Sequence, residues 1–212
     1  MHLPTIPTGI TTTLLTSLLP IFILPSLVSA VPQTTGPDSF LNYNIFLAQL
    51  TNSTNHFRHQ HNASSILFNS TLSTFASSHL QSLELIHSDG PYGENLAIGC
   101  SSPQECVDVW GNERKEYNFE DGKFSEETGH FTQLVWRDTK EMGCAARWCE
   151  TWNEGRGGWY LVCEFWPRGN VEGEFRENVQ KGEYSGAGGL RPTGWVKMGV
   201  LVGMVGGWLV LV

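Results

Sequence analysis

Eight consecutive residues, Trp159 to Trp166 (WYLVCEFW), hold one charge among aromatic, β-branched and apolar side chains. Such a run reads as a buried strand, and a chain containing it must cover that strand with other elements. The sequence around Met142 to Trp148 supplies a pairing partner. Upstream the apolar spacing is helical. Phe40, Ile45, Phe46 and Leu50 follow a cap at Asp38 or Ser39. Leu72, Phe75, Ala76, Leu80 and Leu83 recur at three- and four-residue steps and predict a helix over 70–86. Ser102-Pro103-Gln104-Glu105 is a capping box with proline at the first helical position, opening a helix that carries Val107, Trp110 and Glu113. Asp121 to Gly129 is polar with two glycines and predicts a loop. Helices first and strands later imply an α+β domain with helices packed on a sheet. No internal repeat interrupts that order.

Both ends of the chain differ from its interior. Residues 14–28 are apolar, broken by Pro20 and Pro25, and lead into Val28-Ser29-Ala30, a small-residue cleavage pattern. This is the layout of a secretory signal peptide over 1–30; a membrane anchor is the alternative, for which the run is short. Residues 198–212 are apolar to the last position and are preceded by Ser185-Gly186-Ala187-Gly188-Gly189 and a spacer. Small attachment site, spacer and apolar tail are the parts of a GPI-anchor signal, with Ser185 or Gly186 as the attachment point. A short tail anchor or a Gly-rich tail is the other reading. The implied organisation is a leader (1–30), a short linker (31–37), one domain (38–178), a Gly-rich stalk and spacer (179–197) and the tail (198–212).

Acidic residues outnumber Lys and Arg by 21 to 13. That balance argues against a nucleic-acid partner, because phosphate binding rests on clustered positive charge. The sequons at Asn52, Asn62 and Asn69 are glycan acceptors if the chain is secreted, which would place those segments at the surface.

Gly129-His130-Phe131-Thr132-Gln133-Leu134-Val135-Trp136 resembles the signature of the CAP superfamily: cysteine-rich secretory proteins, venom antigen five and plant pathogenesis-related class one. Leu85-Ile86-His87-Ser88 and then Gly93-Glu94-Asn95-Leu96-Ala97 are similar to its second region in order and spacing. Tyr160-Leu161-Val162-Cys163, followed by Pro167-Arg168-Gly169-Asn170-Val171, is similar to its C-terminal signature. Glu164 and Phe165 stand where the family has a polar residue and tyrosine. Asn55-His56-Phe57-Arg58 with His61-Asn62 resembles fungal members. The resemblance spans Phe40 to Asn178 and implies a three-layer α-β-α sandwich.

It also implies that His87, Glu94, Glu113 and His130 line one open cleft. Two imidazoles and two carboxylates facing water suit a divalent cation, zinc rather than magnesium. The histidines would be the direct ligands, and the glutamates their partners, directly or through water. The spacing of these four residues would not reveal this without the family pattern. Hydrolysis through Ser88 is a weaker expectation, since neither a nucleophile–base contact nor an oxyanion hole can be located and no H-E-x-x-H run occurs. The expectation is therefore a non-enzymatic protein.

The segment Tyr117-Asn118-Phe119-Glu120-Asp121-Gly122-Lys123-Phe124 resembles the aromatic-rich loop linked to sterol binding in fungal relatives. Tyr117, Phe119 and Phe124 would cover the face of a rigid apolar ligand, or alternatively anchor the loop to the core. A second groove binds fatty acids in some relatives, and Phe46, Phe57 and Leu134 are candidate contributors here. The resemblance thus implies an extracellular, surface-anchored protein that binds sterols or fatty acids, attached to the outer membrane leaflet or cell wall through a GPI anchor. A metal-dependent protein-interaction module is the alternative.

For the five cysteines, the resemblance implies a Cys144–Cys163 bridge. Cys100 and Cys106 are close enough to bridge each other. The family's usual partner for Cys149 is absent, which leaves it free or differently paired. The Cys144…Cys149 spacing alone could suggest zinc thiolates, although an oxidising compartment favours disulfides.

Overall fold

The computed structural model describes residues 38–182, apart from residues 84, 152–154 and 156, together with the backbone of Gly203–Met204 and Leu209–Leu211. The leader over 1–30 and the attachment residues Ser185 and Gly186 lie outside the described residues.

A short helix α1 (Asp38–Leu41) precedes α2 (Tyr43–Gln60). The side chain of Asn42 separates them by accepting hydrogen bonds from Asn44 N (3.1 Å) and Ile45 N (3.2 Å), the geometry of a new N-cap. One face of α2 buries Phe46, Leu50, Thr54 and Phe57 at helical spacing. Strand β1 (Leu67–Phe68) leads into α3 (Ser70–His79), capped by Asn69. Helix α3 stops seven residues short of the predicted 70–86. Ser78 Oγ donates to Phe75 O (2.7 Å) and Ser82 Oγ to His79 O (3.3 Å), and Leu83 adopts φ +53°. Serine side chains that bond the local backbone compete with helix continuation, so the apolar periodicity through Leu83 is not followed by the chain. The released segment runs on to β2 (Gly93–Ile98).

Helix α4 (Pro103–Asn112) opens as its capping sequence predicts, with Ser102 Oγ accepting from Glu105 N (3.1 Å). The returning arm of the box reaches one residue further back, where Glu105 Oε2 accepts from Ser101 N (2.9 Å). Helix α5 (Gly129–Val135), strands β3 (Glu141–Cys149) and β4 (Gly158–Trp166), and a last turn α6 (Phe175–Asn178) follow. The backbone of Gly203–Met204 (β5) and Leu209–Leu211 (β6) is extended.

The sheet order is β1-β3-β4-β2-β6-β5, with β1–β3 parallel and the other pairs antiparallel. Residues of β4 alternate between two cores. Trp159, Leu161, Cys163 and Phe165 face a large cluster that includes Phe57, Trp110, Phe131 and Trp136 from α2, α4, α5 and the residue after it. Tyr160 and Val162 face a smaller cluster with Ala76 and Leu80, at the end of α3. Helices on both faces of one sheet make the three-layer α-β-α sandwich.

Cys144 and Cys163 are direct cross-strand partners joined by a disulfide. A second bridge, Cys100–Cys106, ties the exit of β2 to the first turns of α4, and Cys149 is a buried free thiol. Among the described residues no helix is long and apolar enough to cross a membrane.

Candidate functional site

Four segments converge on a cleft of about 310 Å³, lined by His87, Ser88, Tyr92, Glu94, Phe124, His130, Gln133, Arg168 and Asn170 among others. The loop before β2 brings His87, the start of β2 brings Glu94, the first turn of α5 brings His130 and the loop after β4 brings Arg168 and Asn170; Glu113, from the turn after α4, is not among the lining residues and stands behind His130 instead of facing the cleft as expected.

The four residues form two imidazole–carboxylate pairs. His87 Nδ1 lies 2.7 Å from Glu94 Oε1, and His130 Nδ1 lies 2.8 Å from Glu113 Oε1. Glu94 Oε1 also accepts from Ser88 N (3.0 Å), and Glu113 Oε2 accepts from Phe131 N (3.0 Å) in the first turn of α5. A carboxylate at that place completes an orphan helix N–H and is favoured by the helix dipole. Burial opposes ionisation of Glu94, but the hydrogen bonds from His87 and Ser88 outweigh it and hold the carboxyl at about 2.

In each pair the carboxylate faces Nδ1 of its histidine, and an Nδ1–H donated to it leaves Nε2 with a lone pair. His130 is fixed further by Trp110, whose ring stacks on it (5.8 Å, 16°), and by Asn95 Nδ2, which donates to His130 O (3.1 Å). Among the described residues His130 Nε2 is buried without a hydrogen-bond partner, whereas the His87 side chain is 41% exposed at the rim. Two imidazoles oriented in this way suit a borderline cation such as zinc. Among the described residues no group of three or more His, Cys, Asp or Glu side chains is placed to hold an ion. The protein would thus contribute the two Nε2 atoms, with the glutamates behind them.

The cleft floor depends on residues that sequence reasoning passes over. Gln133 Oε1 accepts from Gly169 N (3.0 Å) and Gln133 Nε2 donates to Thr139 Oγ1 (3.4 Å). Asn170, at φ +55°, accepts from Thr132 Oγ1 (2.6 Å) and donates to Gly129 O (2.9 Å). The available signal was the pair of glycines, Gly93 and Gly169, that leave room for Gln133.

The aromatic segment divides. Tyr117 is buried, and Phe119 packs between Phe131 (6.0 Å) and the ring of His61 (5.8 Å, 7°), so these two anchor the loop to the core. Phe124 alone of the three is exposed, at 45%, and it lines the cleft. Phe46, Phe57 and Leu134 do not line a groove: they are buried in the large core, where apolar positions on the inner faces of α2 and α5 belong. The groove beside α2 and α4, about 620 Å³, is lined instead by Ile45, Ala48, Gln49, Asn52, His56, Asp108 and neighbours.

Of the sequon residues, Asn52 and Asn62 are exposed. Asn69 is half-buried and engaged at both ends, with Oδ1 capping α3 through Thr71 N (2.8 Å) and Nδ2 donating to Glu141 Oε2 (2.9 Å). Ser88 Oγ accepts from Gly90 N (3.2 Å).

Residues 51–165 match the family model described as "CAP: Cysteine-rich secretory protein family". The chain is 43% identical over 119 residues to Protein PRY2 of Saccharomyces cerevisiae, an alignment covering 54% of this chain and 35% of that protein. It is 30% identical over 155 residues to Secreted protein PRY1 of Candida albicans, covering 71% of this chain and 35% of that protein. The chain thus spans about a third of the length of these fungal relatives. The crystal structure of hookworm platelet inhibitor superimposes with a TM-score of 0.52 at 19% identity, over 68% of this chain and 79% of that one, a likeness of fold.

Proposed function

The chain belongs to the CAP, or cysteine-rich secretory protein, family, and from that premise we propose that it is an extracellular, non-enzymatic binding domain whose cleft seats a divalent cation between His87 and His130. One observation carries this reading: among the described residues His130 Nε2 is buried without a hydrogen-bond partner, while Nδ1 of the same ring lies 2.8 Å from Glu113 Oε1. A bound cation would supply a positive charge at the cleft floor to which an anionic or carbonyl group of a ligand can attach. With two protein nitrogens, the remaining coordination positions fall to water or to that ligand. Extracellular placement is supported by the two disulfides and by the secreted fungal relative.

Calorimetric titration of zinc into the purified domain tests the proposal. Heat of binding that disappears in His130→Ala sustains it, and equal heats in wild type and variant reject it.

A second reading, a sterol or fatty acid held at the cleft rim, is favoured by Phe124, an exposed aromatic ring beside the cleft. Saturable uptake of labelled sterol that is lost in Phe124→Ala is its test.

A further inference from the structure

The groove of about 620 Å³ runs along the outer face of α2 beside the start of α4 and is about twice the size of the cleft. Ile45, Ala48, Gln49 and Asn52 line it from α2, at the three- and four-residue steps that place side chains on one stripe. Gln104 and Asp108, one turn apart, line it from α4. Its polar groups are mainly side-chain amides and the Asp108 carboxylate, linked across the groove. Asp108 accepts from Ser53 Oγ (2.6 Å) and from Gln104 Nε2 (3.4 Å), and Gln104 N donates to Gln49 Oε1 (3.4 Å). Ile45, 41% exposed, and the exposed Ala48 add a small apolar floor. An acyl chain would cover these amides without pairing them, at a cost. A sugar, with hydroxyl and amide groups around a small apolar face, matches both parts of the lining. Asn52, within the stripe, opens the sequon Asn52-Ser53-Thr54.

We propose that this groove is the bed of an N-linked glycan carried by Asn52, whose first N-acetylglucosamine packs on Ala48 and Ile45 between the amides of Gln49 and Gln104. The helix sets the direction. Cα–Cβ bonds tilt toward the N-terminus, so a group built on Asn52 covers the preceding turn, where Ala48 and Gln49 stand. In the transfer, Asn52 Nδ2 bonds to the anomeric carbon of a lipid-linked oligosaccharide. The bond from that carbon to the diphosphate breaks, the lipid diphosphate leaves and the amide gives up one proton. Transfer precedes folding, so the burial of Ser53 and Thr54 in the finished helix is no obstacle. The proposal rests on the extracellular reading above, because the sugar donor belongs to the secretory pathway.

The other two sequons lack this setting. Asn62 stands beyond the end of α2 at φ +57°, and Asn69 is committed to the cap of α3 and to Glu141. A sugar seated beside Asn52 joins α2 to α4 and closes this groove to other ligands, leaving the cleft of His87 and His130 open.

The test uses the chain secreted from yeast with a foreign leader in place of residues 1–30. That leader delivers it to the glycosylation pathway whatever its own leader does, so a failure of the extracellular reading stays separate. Peptide mapping after enzymatic deglycosylation in heavy-oxygen water should mark Asn52 as occupied. With the glycans trimmed to single N-acetylglucosamine units, the acetyl methyl of the Asn52 unit should show nuclear Overhauser contacts to the methyl protons of Ala48 and Ile45. Thr54→Val, which removes the sequon and keeps Asn52, should lose both signals. Asn52→Gln, at an exposed position, takes its place if the valine variant does not fold. An unmodified Asn52 overturns the proposal, and so does a sugar on Asn52 that contacts neither methyl group.

Discussion

The side chain of Gln133 lies against the bare Cα of Gly93, in space that a β-carbon at 93 would occupy. Gly169 closes the other side of the slot, where a β-carbon would come 2.8 Å from Gln133 Nε2 and from Trp136 Cγ. Gln133 thereby joins the start of β2 to the loop after β4, the two walls of the cleft. Gly93→Ala should cost about 1–3 kcal/mol, the range for overpacking a close-packed site. Urea denaturation measures this; a midpoint equal to wild type would mean that Gln133 has another place to go.

Arg58 should be a costlier residue to change. It is fully buried, and its guanidinium donates to Ser64 O (2.8 Å), Leu134 O (3.0 Å), Trp136 O (2.9 Å) and Thr139 O (2.7 Å). Leu134 and Trp136 lie at the C-terminal end of α5, where carbonyls lack helical partners and a cation is favoured. Burial lowers the Arg58 pKa to about 10, still above neutrality, so the charge persists. Arg58→Met removes every donor and takes the guanidinium away from Leu134 O and Thr139 O, while Trp136 O keeps Thr139 N (3.2 Å), for an expected loss of about 3–5 kcal/mol. Arg58→Lys should recover only part of it, because an ammonium cannot reproduce the planar fork. Chemical denaturation of both variants distinguishes a carbonyl staple from simple volume loss, which would make methionine the milder change.

How far such features could be read from residues alone depended on what local pattern carries. The aromatic density of β4 and the Ser102–Glu105 cap are local, and both predict their elements. The end of α3 is not, because apolar spacing continues through Leu83 while serines divert the backbone. Phe119 and Phe124 look equivalent in a loop sequence, and only the position of His61 and Phe131 sends one inward. Phe46, Phe57 and Leu134 illustrate the same gap, since an apolar residue on a helix is compatible with a groove or a core. The family resemblance brought His87, Glu94, Glu113 and His130 together, but not the pairing of His87 with Glu94 and of His130 with Glu113, which the structure supplies. The burial of Glu164 opposite Glu94 was not legible either, because it arises from strand register across β2 and β4.

The two disulfides should differ in worth. Cys144–Cys163 closes a separation of 19 residues and Cys100–Cys106 one of 6. Loop-closure entropy gives about 3 kcal/mol for the first and about 2 kcal/mol for the second. Replacing Cys144 and Cys163 together by alanine should therefore lower the stability more than replacing Cys100 and Cys106. Thermal unfolding of the two double variants gives the comparison, and the reverse order would show that chain entropy does not dominate here.

Glu164 is fully buried opposite Glu94, and burial, then that neighbouring charge, push its carboxyl up to about 9, so stability should carry its imprint in the pH dependence. Below pH 4.5 this carboxyl is protonated in both the folded and unfolded chain, and it contributes no dependence. Between 4.5 and about 9 the unfolded chain releases the proton while the folded one keeps it. Folding then binds a proton, so the wild type loses stability as pH rises through that window. Glu164→Gln has no proton to release. Its melting temperature relative to wild type should therefore climb steadily from pH 5 to pH 9. A constant difference over that range would place the ionisation of Glu164 elsewhere.

Glu113 offers the sharpest separation between structure and ligand binding. Its two oxygens serve two donors, His130 Nδ1 at 2.8 Å and Phe131 N at 3.0 Å. A glutamine has one acceptor and one donor group, so Glu113→Gln can satisfy only one of the two and loses the negative charge behind the imidazole. The hydroxyl, amide and ring contacts that hold α5 in place through Thr132, Asn95 and Trp110 remain. The variant should fold, with a loss of about 1–3 kcal/mol for the stranded partner. If His130 Nε2 accepts a cation in the proposed way, its basicity falls with the missing carboxylate, and zinc affinity should drop about 10- to 100-fold. Calorimetric titration beside a melting curve reads both effects. Unchanged affinity in a folded variant would detach Glu113 from the cation site and leave it as a cap for α5 alone.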